Sequence, residues 1–283
     1  MFRSRERLQV KSAEQIELMR AAGLVVGQAL DLLARTVTPG LTTRQLDVVA
    51  EEFIRDQGAT PSFKGYHGFP ATICVSVNDE IVHGIPGDRV IDDGDLVSID
   101  CGAIVDGWHG DAAVTVAVGD VSPAEAQLLV VTEDALWAGL AAARVGGRIT
   151  DISHAVETSV RAAGRYGIVE EYVGHGIGTE MHMDPQVPNY GTPGRGARLV
   201  AGMALAIEPM VNLGDRFTRL TDDEWTVVTA DGARSAHFEH TVAITDRGPW
   251  VLTALDGGAA RFAALAVPSP ADPAGFPAPP TVP

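Results

Sequence analysis

Residues 96–118 read Leu96-Val97-Ser98-Ile99-Asp100-Cys101-Gly102-Ala103-Ile104-Val105-Asp106-Gly107-Trp108-His109-Gly110-Asp111-Ala112-Ala113-Val114-Thr115-Val116-Ala117-Val118. The apolar runs before Asp100 and after Asp111 are rich in β-branched residues and bounded by Gly and Asp, which is typical of strands. Pairing of the two strands would bring both aspartates close together. Because neighbouring carboxylates repel unless a cation lies between them or one is protonated, the stretch predicts oxygen ligands for a divalent metal.

An aspartate beside glycine is also typical of an ordinary turn, so further ligands are needed. His175 lies between two glycines, which lets the backbone pass close to a charged group, and neutral imidazole is a common metal ligand. Glu208 and Glu239 interrupt apolar strand sequences, where a carboxylate is costly unless it is paired or metal-bound. Each alone has a structural explanation. With Asp100 and Asp111 they predict a site for two divalent ions that activates water as a nucleophile.

Composition excludes several classes of function. The chain has 283 residues, of which 46% are hydrophobic, enough for one large domain or two small ones. No run of eighteen apolar residues and no secretory signal is found, which predicts no membrane association. A net charge of −16 argues against direct nucleic-acid binding. Two cysteines, Cys74 and Cys101, cannot build a disulfide framework, which favours a reducing, cytoplasmic location.

The order of predicted elements repeats in two halves, roughly residues 12–120 and 121–254. Helices are predicted from their capping residues and apolar spacing, beginning at Ser12, Thr42, Ser122 and Thr150 and ending at Pro39-Gly40, Gly58, Val145 and Arg165. Each helical pair precedes a group of strands, so residues 12–254 are expected to form one catalytic domain with a cleft between similar halves. Residues 1–11 are predicted to be an N-terminal arm, and residues 255–283 a disordered Pro- and Ala-rich tail.

At this point the sequence closely resembles the type I methionine aminopeptidases, in their short bacterial form. The resemblance covers roughly residues 12–254 and is carried, in family order, by Gly65-Tyr66-His67-Gly68-Phe69-Pro70, Asn78-Asp79-Glu80-Ile81-Val82-His83-Gly84-Ile85-Pro86, residues 94–111, Gly174-His175-Gly176-Ile177-Gly178 with His182, Ile207-Glu208-Pro209 and Glu239-His240-Thr241. It implies the pita-bread fold, an α/β (α+β) architecture of two pseudo-symmetric halves around a curved antiparallel sheet with helices on the outer face.

The resemblance also implies a function. A cytoplasmic enzyme of this kind removes the initiator methionine from nascent polypeptides when the second residue is small. In the expected reaction, a bridging hydroxide attacks the first peptide bond. Asp100 and Asp111 would hold one ion, and Asp111, His175, Glu208 and Glu239 the other. The ions would be cobalt, manganese, iron or zinc, and no organic cofactor is expected. The expected partners are nascent N-termini and, transiently, the ribosome, and the expected oligomeric state is a monomer.

Further side chains receive roles from the same resemblance. His83 and His182 would contact the scissile bond, and Glu208 would shuttle a proton. The methionine pocket would consist of Tyr66, Phe69, Cys74, His83, Met181, His182 and Trp225. Aromatic rings and a sulfur suit an unbranched thioether side chain, although such a set is also compatible with ordinary core. Three residues depart from the familiar bacterial pattern and bear on pocket shape, namely Phe63, Met181 and His237.

Two other functions compete with this interpretation. An Xaa-Pro aminopeptidase or prolidase shares the fold and the five ligands, but such enzymes usually carry an additional N-terminal domain and lack the Gly65–Gly68 motif. An inactive pita-bread protein acting as a binding module would be expected to have lost ligands, whereas all five are present here. Creatine hydrolysis requires no metal ligands, so their presence argues against it.

Overall fold

The computed structural model describes residues 8–270. The helices in this range are α1 Ala13–Thr36, α2 Thr43–Asp56, α3 Pro123–Ala142, α4 Ile149–Ala163 and α5 Ala259–Ala264. The strands are β1 Thr60–Pro61, β2 Ile73–Val77, β3 Glu80–Val82, β4 Leu96–Val105, β5 Trp108–Ala117, β6 Gly167–Ile168, β7 Gly174–Gly176, β8 Met183–Val187, β9 Ala204–Ile207, β10 Met210–Asn212, β11 Thr218–Leu220, β12 Val227–Thr229, β13 Ser235–His237, β14 Glu239–Thr245 and β15 Gly248–Val251. None of these helices is both long and apolar enough to cross a bilayer.

Three of the long helices begin at the predicted caps. The side chains of Ser12, Thr42 and Ser122 each accept from the backbone N–H three residues later, and the Gln or Glu at that position accepts from the backbone N–H of the cap. Reciprocal capping of this kind satisfies two donors that the first helical turn leaves free.

The start of α4 differs from the prediction. The cap is Arg148, whose backbone N–H donates to Asp151 Oδ2 at 2.8 Å. Thr150, the predicted cap, lies inside the helix and exchanges hydrogen bonds with the backbone of Arg195 instead. The Thr150 hydroxyl, which was predicted to cap the helix, therefore bonds to a loop that is distant in sequence.

The central hairpin is longer than its sequence suggests. Strands β4 and β5 continue through both aspartates and turn only at Asp106-Gly107, where both residues have positive φ. Asp100 lies opposite Ala113, and Asp111 lies opposite Gly102. The two carboxylates are therefore diagonal neighbours rather than directly facing residues. Since side chains alternate along a strand, this register puts both on one face of the sheet.

The hairpin occupies the middle of a single antiparallel sheet. The strand order is β1-β4-β5-β14-β9-β7-β8, with β2 paired to β4 and β15 paired to β14. The two halves of the chain meet where β5 pairs with β14, with Glu239 opposite Ala113. Two smaller three-stranded sheets, β13-β10-β6 and β11-β12-β3, flank it. The metal-ligand candidates of both halves thus approach one another at the centre of the sheet.

Helices cover one face of this sheet and leave the other free for the site. Helices α1 and α2 pack on Ile99, Cys101 and Ala112 in one core, and α3 and α4 pack on Leu205 and Val242 in another. Burying these apolar positions supplies the main driving force for folding. Their neighbours along each strand, which include every predicted carboxylate ligand within a strand, point to the opposite face.

The described residues near both termini pack against the rest of the protein. Residues 8–11 are held in place: Lys11 is buried, and its Nζ donates to the carbonyl of Ile177 at 2.6 Å. Residues 255–270 are not a disordered tail, because α5 buries Phe262 and Val267 follows it into the core. The Gly- and Ala-rich composition concealed these two anchors. Residues 1–7 and 271–283 lie outside the described range.

A glycine contact fixes the distance between α1 and the hairpin, and it yields a prediction. A Cβ on Gly110 would lie 2.7 Å from Gly23 N and 2.9 Å from Ala22 C, which are helix backbone atoms that cannot move aside. Gly110→Ala is expected to lower the free energy of unfolding by about 3 kcal/mol, measured by denaturant titration. Gly87→Ala is the control, since its Cβ would meet nothing nearer than 3.8 Å. Equal stability of both variants would contradict this packing.

Candidate metal centre and substrate cavity

A cavity of about 360 Å³ opens at the centre of the uncovered face. Its walls are Phe63, Tyr66, His67, Phe69, Cys74, His83, Asp100, Asp111, His175, Met181, His182, Glu208, Trp225 and Glu239. All the catalytic, substrate-binding and metal-ligating residues predicted from the sequence are in this set. Phe63 and His67 are additional members.

One end of the cavity is a buried cluster of acids and imidazole. Ligand atoms of Asp111, His175 and Glu239 all lie within 4.8 Å of one another. Glu208 Oε1 lies 3.6 Å from His175 Nε2, and Asp111 Oδ2 lies 3.9 Å from the same nitrogen. Asp100 is outside the compact group of three but lines the same cavity. The structure therefore brings the five predicted ligands to one place.

His175 presents a bare nitrogen to these carboxylates. Its Nδ1 donates to the carbonyl of Gly176 at 3.0 Å, which leaves the Nε2 lone pair directed at the acids. Burial lowers the pKa of His175 to about 3, so the ring is neutral at neutral pH. A lone pair facing anionic oxygens is repulsive without a cation between them, whereas the same tautomer is ideal for metal ligation.

The environment of the carboxylates also disfavours their charged form. Burial raises the pKa of Asp100 to about 7. Burial, followed by the charges of neighbouring acids, raises the pKa of Asp111, Glu208 and Glu239 well above the usual range. Burying several charged carboxylates away from water costs a large free energy unless their charges are compensated. Such a cluster needs protons or cations to be stable in a folded protein.

The hydrogen-bonding pattern favours cations. Within residues 8–270, no donor reaches the buried oxygens Asp100 Oδ1, Asp111 Oδ1 and Glu239 Oε1. Buried polar atoms nearly always have a partner, and oxygen-rich sites with one nitrogen suit divalent transition metals. The donor set therefore fits a metal site.

Neighbouring backbone bonds hold two of these ligands in position. Thr241 Oγ1 accepts from the backbone N–H of Asp111 at 3.1 Å and donates to its carbonyl at 2.8 Å, which joins β14 to β5 beside the cluster. Glu208 lies in the break between β9 and β10 that Pro209 enforces, because proline has no N–H for the ladder. Asn189 Nδ2 donates to the freed carbonyl of Glu208 at 3.1 Å.

The other end of the cavity is apolar. Phe63, Phe69, Ala71, Cys74 and Met181 form a buried cluster, and Tyr66 and Trp225 pack against it. Phe69 meets Trp225 edge to face, with ring centroids 5.1 Å apart. A cavity lined by aromatic rings and sulfur beside an acidic cluster can hold an apolar side chain with a polar group at the metal end.

Two imidazoles lie between the apolar and acidic ends. His83 follows β3 with a φ of 61°, and burial, followed by the charge of His182, lowers its pKa to about 4. His182 is more exposed, and its Nδ1 lies 3.0 Å from the Tyr66 hydroxyl. The rings of His182 and His175 are 4.3 Å apart. Both histidines are therefore placed to reach a ligand that spans the two ends.

Three residues at this site were not among the predicted ligands, catalytic residues or pocket residues. Phe63 was noted only as a departure from a family pattern, yet it forms part of the apolar wall. His67 stands in the quoted Gly65–Gly68 motif, and its positive φ of 48° turns its ring onto Tyr66. His237 shares the strand face of Glu239, and its Nε2 lies 3.9 Å from Glu208 Oε2. Strand alternation was the signal that could have assigned His237 to the site.

Comparison with known proteins agrees with this geometry. The model of metallopeptidase family M24 matches residues 17–246. The chain therefore belongs to metallopeptidase family M24, a class of hydrolases whose name implies a resident metal.

Relatives and solved structures narrow the similarity. "Methionine aminopeptidase 1" of Mycobacterium tuberculosis is 56% identical over 258 residues, which cover 89% of this chain and 97% of that protein. The crystal structure of methionine aminopeptidase from Thermotoga maritima has a TM-score of 0.86 at 43% identity and covers 87% of this chain and 99% of that one. The resemblance drawn from the sequence motifs is thus confirmed.

A more distant structure shows the fold alone. Prolidase from Pyrococcus furiosus has a TM-score of 0.70 at 24% identity, and the match covers 86% of this chain but only 65% of that one. The shared architecture confirms the predicted pita-bread fold.

Proposed function

We propose that this chain removes the N-terminal methionine from nascent polypeptides whose second residue is small, with two divalent ions held by Asp100, Asp111, His175, Glu208 and Glu239. The proposal rests on one observation. A single cavity combines buried carboxylate oxygens that have no hydrogen-bond donor with an apolar pocket of aromatic and sulfur-containing side chains. Close relatives named for the same activity support it.

The ligand assignment follows the chemistry of the donors. Four carboxylates offset the charge of two divalent ions, and one neutral imidazole completes the set. Asp100 and Asp111 would hold one ion, and Asp111, His175, Glu208 and Glu239 would hold the other. When bound, the ions supply Lewis acidity and lower the pKa of water. Carboxylate-rich sites accept manganese, iron, cobalt or zinc, so availability in the cell selects among them.

The protein side chains bind and orient the substrate. Tyr66, Phe69, Cys74, Met181 and Trp225 would enclose the unbranched methionine side chain, which excludes water from the first peptide bond. Neutral His83 can donate one hydrogen bond to the peptide at that bond, and His182, steadied by the Tyr66 hydroxyl, can do so from the mouth of the cavity. Glu208 is the acid proposed to receive and return a proton, because its carboxylate lines the acidic end of the cavity beside His175.

The substrate sets the proposed cellular context. Nascent N-termini emerge at the ribosome, so the proposal places the enzyme in the cytoplasm, with transient contact to the ribosome and as a monomer. The net charge of −16 favours contact with protein rather than with RNA phosphate.

A comparison of two peptide substrates distinguishes this function from the Xaa-Pro activity that the fold also supports. Metal-loaded protein is expected to release methionine from Met-Gly-Met and to leave Gly-Pro dipeptides intact. Cleavage of the Gly-Pro substrate with Met-Gly-Met untouched would overturn the proposal in favour of a prolidase.

The two cysteines offer a matched test of the methionine pocket. Cys74 and Asp100 are paired residues of β2 and β4, whereas Cys101 packs in the helix-covered core. Cys74→Ala is expected to lower the preference for Met-Ala-Ser over Leu-Ala-Ser by about fivefold, as the loss of one contact in a specificity pocket does. Cys101→Ala should reduce stability but leave that ratio of kcat/KM unchanged. Equal ratios in both variants would argue against the assigned pocket.

A further inference from the structure

The carboxylate of Glu208 lies between two imidazoles. Its Oε1 faces His175 Nε2 at 3.6 Å, where a metal is proposed to bind. Its Oε2 faces His237 Nε2 at 3.9 Å. The main chain of Glu208 is already held by Asn189. The carboxylate itself therefore depends on what contacts Oε2.

His237 is built into the protein interior with an unused nitrogen. The residue is 1% exposed, and among residues 8–270 nothing accepts from or donates to its Nε2. Leaving such an atom without a partner costs about 1–3 kcal/mol. The orientation of this atom toward Glu208 suggests a use for it.

The hydroxyl of Thr115 holds the backbone of His237 at the end of β13. The N–H of His237 donates to Thr115 Oγ1 at 2.8 Å, and its carbonyl accepts from the same hydroxyl at 2.8 Å. Ser98 Oγ lies 2.8 Å from Thr115 Oγ1, and must be the donor there because the threonine hydrogen is already used. Residue 237 also lies opposite Met210, two residues after Glu208. These contacts hold the backbone from which the imidazole extends toward Glu208.

We propose that His237 is a positioning residue for the metal site: it donates a hydrogen bond from Nε2 to Glu208 Oε2 and so fixes the orientation in which Glu208 binds metal. The present gap is about 1 Å longer than an N–H···O hydrogen bond, and a small rotation of either side chain closes it. Carboxylate ligands characteristically have their free oxygen hydrogen-bonded, which raises metal affinity. The inference rests on the metal site of the proposed function.

Three substitutions at residue 237 separate hydrogen bonding from packing. His237→Gln keeps an N–H donor at nearly the same reach. His237→Asn keeps an amide but is too short to reach Glu208, and His237→Leu keeps bulk without a donor. His240→Leu is the matched control, because His240 is the next histidine along the chain but faces away from the site, with its Nδ1 2.8 Å from Thr253 Oγ1.

The experiment is calorimetric titration of Mn²⁺ into full-length, metal-stripped protein. His237→Leu and His237→Asn are expected to weaken Mn²⁺ binding by about 10- to 100-fold, while His237→Gln stays within about threefold of wild type. His240→Leu should bind as wild type does. The same order is expected in kcat, with KM for Met-Ala-Ser little changed, because Glu208 and not the methionine pocket is affected.

Each outcome decides the inference. Wild-type affinity in His237→Leu, equal affinities of the Asn and Gln variants, or equal losses in His237→Leu and His240→Leu would overturn it while leaving the proposed function intact. Failure of the wild-type protein itself to bind Mn²⁺ would overturn both the inference and the proposed metal site.

Discussion

Asp111→Asn is expected to lower kcat/KM for Met-Ala-Ser by more than about 10³-fold, equivalent to about 4 kcal/mol of lost transition-state stabilisation. Asp111 lies within reach of His175 and Glu239, and the charges of Asp100 and Glu208 act on it. Asparagine keeps its size but removes one of the charges that would hold the ions. Normal turnover by this variant would contradict the two-metal site.

The same substitution should have the opposite effect on the metal-free protein. Burial, then the charges of Asp100 and Glu208, raise the pKa of Asp111 well above its usual range. A raised carboxyl pKa stabilises the fold below the unfolded pKa of about 4, and this stabilisation is lost as pH rises toward the folded pKa. Metal-free Asp111→Asn should therefore melt above metal-free wild type at pH 8, by a margin that shrinks toward pH 4.

Asp106→Asn is the control for both measurements. Asp106 lies in the turn of the same hairpin with a φ of 49°, a conformation that asparagine adopts readily. Activity within about twofold of wild type and an unchanged melting temperature are expected for this surface change.

His83→Asn is expected to lower kcat for Met-Ala-Ser by about 10²- to 10³-fold, the usual cost of losing a positioned hydrogen-bond donor or proton carrier at a reacting bond. Asparagine tolerates the positive φ of residue 83 but cannot reach as far as the imidazole. Mn²⁺ affinity should be unchanged, because His83 is not among the proposed ligands.

The pH dependence of this loss tests the protonation state of His83. Its pKa of about 4 keeps the ring neutral from pH 6 to 8, so the ratio of wild-type to variant kcat should be constant across that range. A ratio that grows as pH falls below 6.5 would show that the charged ring is the working form. His67→Ala, which alters a more exposed ring of the same cavity, should change kcat by less than about threefold.

Local sequence signals predicted those elements whose physical cause is local. The caps at Ser12, Thr42 and Ser122 follow from capping chemistry. The strands before Asp100 and after Asp111 follow from their β-branched residues. Thr150 was misassigned because its hydroxyl bonds to Arg195, 45 residues away, and no local pattern encodes that contact.

Other features depend on tertiary packing. The order of residues 255–270 depends on Phe262, a single aromatic anchor within a Gly-, Ala- and Pro-rich sequence. Similarly, sequence chemistry proposed which acids form the cluster, but only the register of β4 against β5 places Asp100 and Asp111 diagonally. Phe63 gained a role from its place in the cavity wall, and His237 from its distance to Glu208.

The most direct test of the proposed function is methionine release from Met-Ala-Ser and Met-Leu-Ser as Mn²⁺ or Co²⁺ is added to metal-stripped protein. Metal-dependent cleavage of Met-Ala-Ser, with Met-Leu-Ser spared, is the expected result, because it requires the metal site, the methionine pocket and the restriction to small second residues together. Folded protein that cleaves neither peptide with either metal would contradict the function and favour a binding module that has kept its ligands.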